Sequence, residues 1–332
     1  MNPMTRRDVL ARAVCATALM SLGLLSRSAS ARELVQPHRV VDLDWRDEKR
    51  GRDVPARLYL PQMADIDSRV PLVVFSHGIG GSRFGYSYLG RHWAGQGFAS
   101  LHLQHVGSDR ALWTRGSPFA VVSRLHDAAQ DAEAIARAHD LRFALDQLLS
   151  GDLTRWIDGE RIVAAGHSYG ANTTLLAAGA QVVRQGRLLD LHEPRLRAAI
   201  VISAPPFYGE SSPRSILGPV RLPSLHITAT EDVIRIPGYW SEAQDRIAIF
   251  DGLGATRKWL AVFTGGSHSM FTDRAGTGGL LLNAQVKAAT CELTAAFLRS
   301  ILGDDDLELR AWPQRHAAIL SRFTAPASST AS

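Results

Sequence analysis

The chain has 332 residues, 45% hydrophobic and 21% charged, an ordinary globular composition that excludes a disordered or collagen-like protein. Its formal charge of +5 comes without a dense Lys/Arg stripe interleaved with aromatics, which argues against nucleic acid as a partner. There is no repeat of fixed period, and no apolar run beyond the N-terminal segment is long enough for a stable membrane span.

The first 31 residues stand apart. Arg6-Arg7 precede a mostly apolar stretch from Val9 to Leu25, and Ala29-Ser30-Ala31 follows as an A-x-A cleavage pattern. Thr5-Arg6-Arg7-Asp8-Val9-Leu10 has the form of a twin-arginine export signal. The expectation is a signal peptide over residues 1–31, cut near Ala31, and a periplasmic or secreted product; an N-terminal amphipathic helix is the alternative, because Arg12 interrupts the apolar run. This segment holds four Arg and one Asp, so cleavage removes a net +3 and leaves +2. Cys15 leaves with it. Cys291 then stands alone in an apolar helical pattern, which predicts a core residue and no internal disulfide.

From there the elements follow in order. Arg39–Trp45 and Ala56–Leu60 alternate like half-buried strands, with Gly51-Arg52-Asp53 as the turn between them. Pro71–Ser76 and Phe98–Leu103 are short apolar runs separated by a helical segment, Tyr86 to Ala94, a strand–helix–strand unit that predicts parallel pairing. Asp127 to Leu149 predicts one long helix, on which Arg142 and Asp146 share a face. A strand over Arg161–Ala165 runs into an apolar helix over Ala171–Ala180. Ala198–Ser203, Ser224–Ala229 and Lys258–Phe263 read as further buried strands. The five prolines of Pro205–Pro223 predict a loop or partial lid across the top of the sheet. A helix from Leu280 to Ile301 and an Ala/Ser-rich tail close the chain. The fold class is therefore α/β, a mainly parallel sheet with helices on both faces, with one catalytic domain over 32–303 and a tail over 304–332.

One motif carries chemistry. Gly166-His167-Ser168-Tyr169-Gly170 is a G-x-S-x-G string between a predicted strand and a predicted helix. A nucleophile on a strained strand-to-helix turn needs glycines beside it so that neighbouring chain can pass without a Cβ clash. The same turn sets Ser168 at a helix N-terminus, whose free N–H groups favour developing negative charge. Serine is a weak nucleophile and needs a base, and histidine titrates nearest neutrality. The chain offers 12 histidines. His102, His126, His139, His192 and His226 fall inside predicted elements, where a structural role is the expectation.

These residues resemble the α/β-hydrolase superfamily, and within it bacterial esterases related to predicted dienelactone hydrolases, platelet-activating-factor acetylhydrolases, chlorophyllases and polyester hydrolases. The resemblance runs from Val40 to Ile301 and rests on Arg52–Pro61 (RDVPARLYLP), Phe75–Gly81 (FSHGIGG), the Gly166–Gly170 string, Thr228–Asp232 and Gly265–His268. It implies a Ser-Asp-His triad in that order, with an oxyanion hole of backbone amides. By that pattern His268, in the loop after the last strand, is the base. Asp232, after Ser224–Ala229, is the acid, with neighbouring Glu231 as its competitor. The oxyanion donors are the amides of Tyr169 and of Ile79 in Ser76-His77-Gly78-Ile79-Gly80-Gly81. True dienelactone hydrolases use a cysteine where this chain has Ser168, so the resemblance implies carboxylic ester hydrolysis by a serine esterase rather than that lactone chemistry. A phospholipase-type acetylhydrolase or polyester hydrolase would differ only in the pocket. A silent binding protein on the same scaffold is the reading from another class.

No cofactor is implied. There is no H-E-x-x-H, and His102-x-x-His105 is the nearest approach to a metal pair. The glycine run after Ser76 lacks the pattern of a phosphate cradle. Trp113, Phe119, Phe207 and Tyr239 are candidate pocket aromatics, while the acyl and alcohol parts of the substrate and the oligomeric state are not legible.

Overall fold

The structure, a computed structural model, describes residues 37–62, 69–210, 212–236, 238–273 and 280–327, so the expected signal peptide lies outside the described residues. The strands are β1 (His38–Asp47), β2 (Arg52–Pro61), β3 (Val70–Ser76), β4 (Ala99–Leu103), β5 (Ile157–His167), β6 (Val182–Arg184), β7 (Arg187–Leu189), β8 (Leu196–Ile202), β9 (Ser224–Glu231), β10 (Ile234–Ile236), β11 (Tyr239–Ser241), β12 (Lys258–Ser267) and β13 (Leu320–Thr324). Nine of them form one sheet in the order β1-β2-β4-β3-β5-β8-β9-β12-β13. From β4 to β12 every neighbouring pair is parallel, while β1, β2 and β13 are antiparallel additions at the two ends.

The helices are α1 (Ser87–Gly95), α2 (Ala111–Thr114), α3 (Val121–Ala128), α4 (Asp131–Ser150), α5 (Tyr169–Ala177), α6 (Pro213–Leu217), α7 (Ala243–Gly252), α8 (Leu280–Gly303) and α9 (Leu307–Arg315). Strand alternation divides the core between the two faces of the sheet. Val73 and Phe75 join a cluster with Leu89 and Trp93 of α1 and with Leu293 and Phe297 of α8, whereas Leu72 and Val74 join one with Leu141, Leu145 and Leu148 of α4. Cys291 is buried in the first cluster. No described helix is long and apolar enough to cross a membrane.

Three expectations are corrected. The first turn falls on residues 48–51, and Arg52 already pairs with Asp47 in the ladder, because the Asp47 carboxylate accepts the amides of Lys49 and Arg50 and closes the turn early. The long helix expected over Asp127–Leu149 is two: Gln130 is extended, and Asp131 and Glu133 supply the acidic first turn of a fresh helix. The tail expected over 304–332 contains α9 and the edge strand β13. Trp312, fully buried, donates to the Ala289 carbonyl at 3.0 Å and packs 5.6 Å from the Phe323 ring.

Candidate active site

Strand β5 ends at His167 and α5 begins at Tyr169, so Ser168 alone makes the turn, at φ 55° and ψ −125°. A non-glycine residue there is strained, and the glycines around it explain how the strain is held. A Cβ on Gly166 would run into the Gly170 carbonyl, and one on Gly170 into the Ser76 carbonyl. The helix entry is therefore packed directly against the end of β3. This is the geometry that presents one hydroxyl above the sheet.

Two further side chains meet Ser168. His268, just past β12, places Nε2 2.7 Å from Ser168 Oγ, and its Nδ1 lies 2.7 Å from Asp232 Oδ1. A carboxylate can only accept, so Nδ1 carries the proton and Nε2 is left to accept from the serine hydroxyl. Asp232 is fully buried just beyond β9, and its Oδ2 accepts the hydroxyls of Ser203 and Thr228 at 2.5 and 2.7 Å. Arg246 of α7 stands 3.4 Å from Oδ1. Burial opposes ionisation of Asp232, but its interaction and hydrogen bond with His268, the Arg246 cation and the hydrogen bond from Ser203 outweigh it and hold the carboxyl below the usual carboxylate range. Glu231, the sequence competitor, is exposed at the end of β9.

The loop after β3 closes over the serine. A Cβ on Gly78 would lie 3.1 Å from Ser168 Cβ. The amides of Gly80 and Gly81 are occupied by the carbonyls of Ser108 and Gly78, at 2.8 and 3.0 Å. The Gly78 carbonyl also accepts from His77 Nδ1 at 2.7 Å. Because C=O and N–H of one trans peptide point opposite ways, pinning the Gly78 carbonyl fixes the direction of the Ile79 amide. Ile79, Tyr169, Ser168 and His268 all line one cavity.

A second chain of hydrogen bonds, not foreseen from the sequence, ties the loop to His268. The Gly78 amide points to Tyr86 Oη at 3.4 Å, Tyr86 Oη lies 2.8 Å from His167 Nδ1, and His167 Nε2 donates to the His268 carbonyl at 3.0 Å. Burial, with help from the nearby His268, holds His167 down to about 3, so it is neutral. Tyr86 gives no periodic or motif signal, and its left-handed φ of 56° before α1 is visible only in three dimensions.

The cavity measures about 620 Å³, in the range of small-molecule sites, and is walled by Leu125, Ile135, Leu176, Leu191, Phe207 and Ile236. Of the four candidate aromatics, Trp113, Phe207 and Tyr239 line it; Phe119 does not, being 98% exposed on a short turn before α3. The rings of His102 and His105 turn to different partners, the Gly85 carbonyl for one and Asp140 with Ser76 for the other. No group of three metal-ligating side chains occurs among the described residues.

No curated protein is matched by the chain. A family model described as alpha/beta hydrolase family matches residues 73–328, from within β3 to beyond β13. That span covers well over half of the sequence and contains the serine turn, the buried carboxylate and the histidine loop, and the protein belongs to the alpha/beta hydrolase family.

Proposed function

We propose that this protein is a serine esterase that hydrolyses carboxylic esters through an acyl-enzyme on Ser168, with His268 as general base and Asp232 as its orienting acid. The observation that carries this reading is the unbroken line from Asp232 Oδ1 through His268 to Ser168 Oγ, 2.7 Å at each step, ending on a strained turn at a cavity. Ser168 Oγ attacks the ester carbonyl while His268 Nε2 takes its proton. The tetrahedral oxyanion is met by the amides of Ile79 and Tyr169, fixed before the charge develops. His268 then protonates the departing alcohol as the C–O bond breaks. Water, deprotonated by the same nitrogen, attacks the acyl-serine, and as the bond from the acyl carbon to Ser168 Oγ breaks, His268 returns the proton to Oγ and the acid leaves.

The apolar walls of the cavity favour esters whose acyl or alcohol part is itself apolar, since burying that surface drives binding. A panel of chromogenic esters of graded acyl length tests the reading. Wild-type protein turns over at least one class, and Ser168→Ala loses at least about a thousandfold in kcat while keeping its fold. Turnover by Ser168→Ala within about tenfold of wild type contradicts the assignment.

A further inference from the structure

Beside the candidate oxyanion loop lies a charged cluster whose carboxylates, Asp140 and Glu133, are buried and whose arginines Arg50 and Arg52 are partly buried. Arg52 donates to Glu133 at 2.9 Å and to Asp140 at 3.0 Å, and Arg50 reaches Asp140 at 2.9 Å. His105 Nδ1 bonds Asp140 at 3.0 Å, its Nε2 lies 3.0 Å from Ser76 Oγ, and its backbone amide donates to His77 Nε2 at 3.1 Å. Burial comes first in holding both rings well below the ordinary histidine range, and the nearby charge of Arg137 adds to it. Both rings are therefore neutral.

Arg137, on α4, is the odd member. It is fully buried, yet among the described residues none of its hydrogen bonds goes to a carboxylate: Nε donates to Thr173 Oγ1 at 2.9 Å, Nη1 to Ser108 Oγ at 2.7 Å, and Nη2 to the His77 carbonyl. Its guanidinium carbon stands 4.6 Å from the centre of the Tyr169 ring. Burial pulls its pKa down to about 10, so it stays charged at neutral pH. A buried cation spent on neutral oxygens is a costly way to fill a core, where an apolar side chain would pack at less expense. The planar fork does something an apolar chain cannot. It grips, at once, the loop that carries Ile79 and the helix that carries Tyr169. Thr173 extends the grip, because its hydroxyl donates to the Tyr169 carbonyl at 3.1 Å.

The geometry points to Arg137 as a positioning residue that sets the distance between the two oxyanion donors, through His77 on one side and Thr173 with the Tyr169 ring on the other. This rests on the ester-hydrolase reading above. Both donors must lie within hydrogen-bond reach of one developing oxyanion, and a misplacement of about 1 Å costs roughly a hundredfold in rate. Arg137 does not line the cavity, so substrate binding is not its business.

The test compares wild type with Arg137→Lys, Thr173→Val and Thr173→Ser. Arg137→Lys, which keeps charge but loses the fork, lowers kcat roughly a hundredfold with KM within about threefold. Affinity for a trifluoromethyl ketone, whose adduct carries the oxyanion, falls by the same factor as kcat/KM. Thr173→Val, near-isosteric but without the hydroxyl, lowers kcat roughly tenfold, and Thr173→Ser restores it. If Arg137→Lys does not fold, the threonine pair decides. Thr173→Val equal to Thr173→Ser in kcat and in ketone affinity overturns the assignment. So does a folded Arg137→Lys whose kcat per folded molecule is that of wild type. Wild-type protein inactive on every ester overturns the hydrolase reading itself, and this assignment with it.

Discussion

Asp232 is held from three directions, by His268 on one oxygen and by two hydroxyls, Ser203 and Thr228, on the other. That arrangement decides what an amide in its place would do. In Asp232→Asn the single oxygen is claimed by the two hydroxyl donors, which turns the NH2 toward His268 Nδ1 and favours the tautomer with the proton on Nε2. That nitrogen then cannot accept from Ser168. Turnover of an ester that wild type accepts is expected to fall by up to about ten-thousandfold in Asp232→Asn, while Glu231→Gln, changing an exposed side chain, stays within about twofold. Near-normal turnover in Asp232→Asn with collapse in Glu231→Gln would reverse the assignment. The sequence could rank these neighbours only by rotamer freedom and family pattern. Burial separates them, and burial depends on β9 ending at Glu231 with the next side chain enclosed by Ser203, Thr228 and His268. Ser168 was legible because a five-residue string between a strand and a helix is a local signal. Arg137, Tyr86 and Arg246 were not, because each acts on a residue outside its own element, His77 for Arg137, His167 for Tyr86 and Asp232 for Arg246.

Elements read correctly from periodicity are those whose burial is set by the sheet. The strands over Val70–Ser76, Ala99–Leu103, Leu196–Ile202 and Ser224–Glu231 are buried along most of their length and show no apolar/polar alternation, because both of their faces are covered. Elements that escaped are short or mixed. The ribbons β6–β7 and β10–β11 have three residues per strand, too few for a period to declare itself, yet Val182, Leu189, Ile234 and Ile236 from them wall the cavity. Helix α7 brings Arg246 to Asp232, and it begins with a reciprocal cap between Glu242 and Asp245, a signal present in the sequence but set among polar residues with no apolar stripe to draw attention. Strand β13 completes the sheet edge on β12 although its residues are half exposed, since its position is fixed by Trp312 and Phe323 rather than by its own pattern.

Across the whole molecule, five fully buried histidines make folding depend on pH. Burial, the leading cause in each, pushes His102, His167 and His226 down to about 3 and holds His77 and His105 well below the ordinary range. In the unfolded chain each titrates near 6.5. Above that value both states are neutral and the histidines contribute nothing to the pH dependence. Between about 6.5 and 3 the unfolded state binds more protons, so stability falls as pH falls, by about 1.4 kcal/mol per pH unit for each histidine fully in that window. The melting temperature is expected to hold level from about pH 9 to 7 and to drop steeply below about pH 6. Equal melting temperatures at about pH 7.5 and 5 would contradict this account of the buried rings.

The proposed hydrolysis requires that Ser168 be activated. The most direct measurement of this is reaction of the folded protein with a fluorophosphonate, followed by intact mass and peptide mapping. A single adduct on Ser168 is expected, absent after Ser168→Ala and slowed by Asp232→Asn, because Ser168 lines the cavity and sits 2.7 Å from a histidine that is itself held by a buried carboxylate, whereas the similar line from Ser76 through His105 to Asp140 is fully buried away from the cavity. No adduct on Ser168, or an adduct that persists in Ser168→Ala, would contradict it.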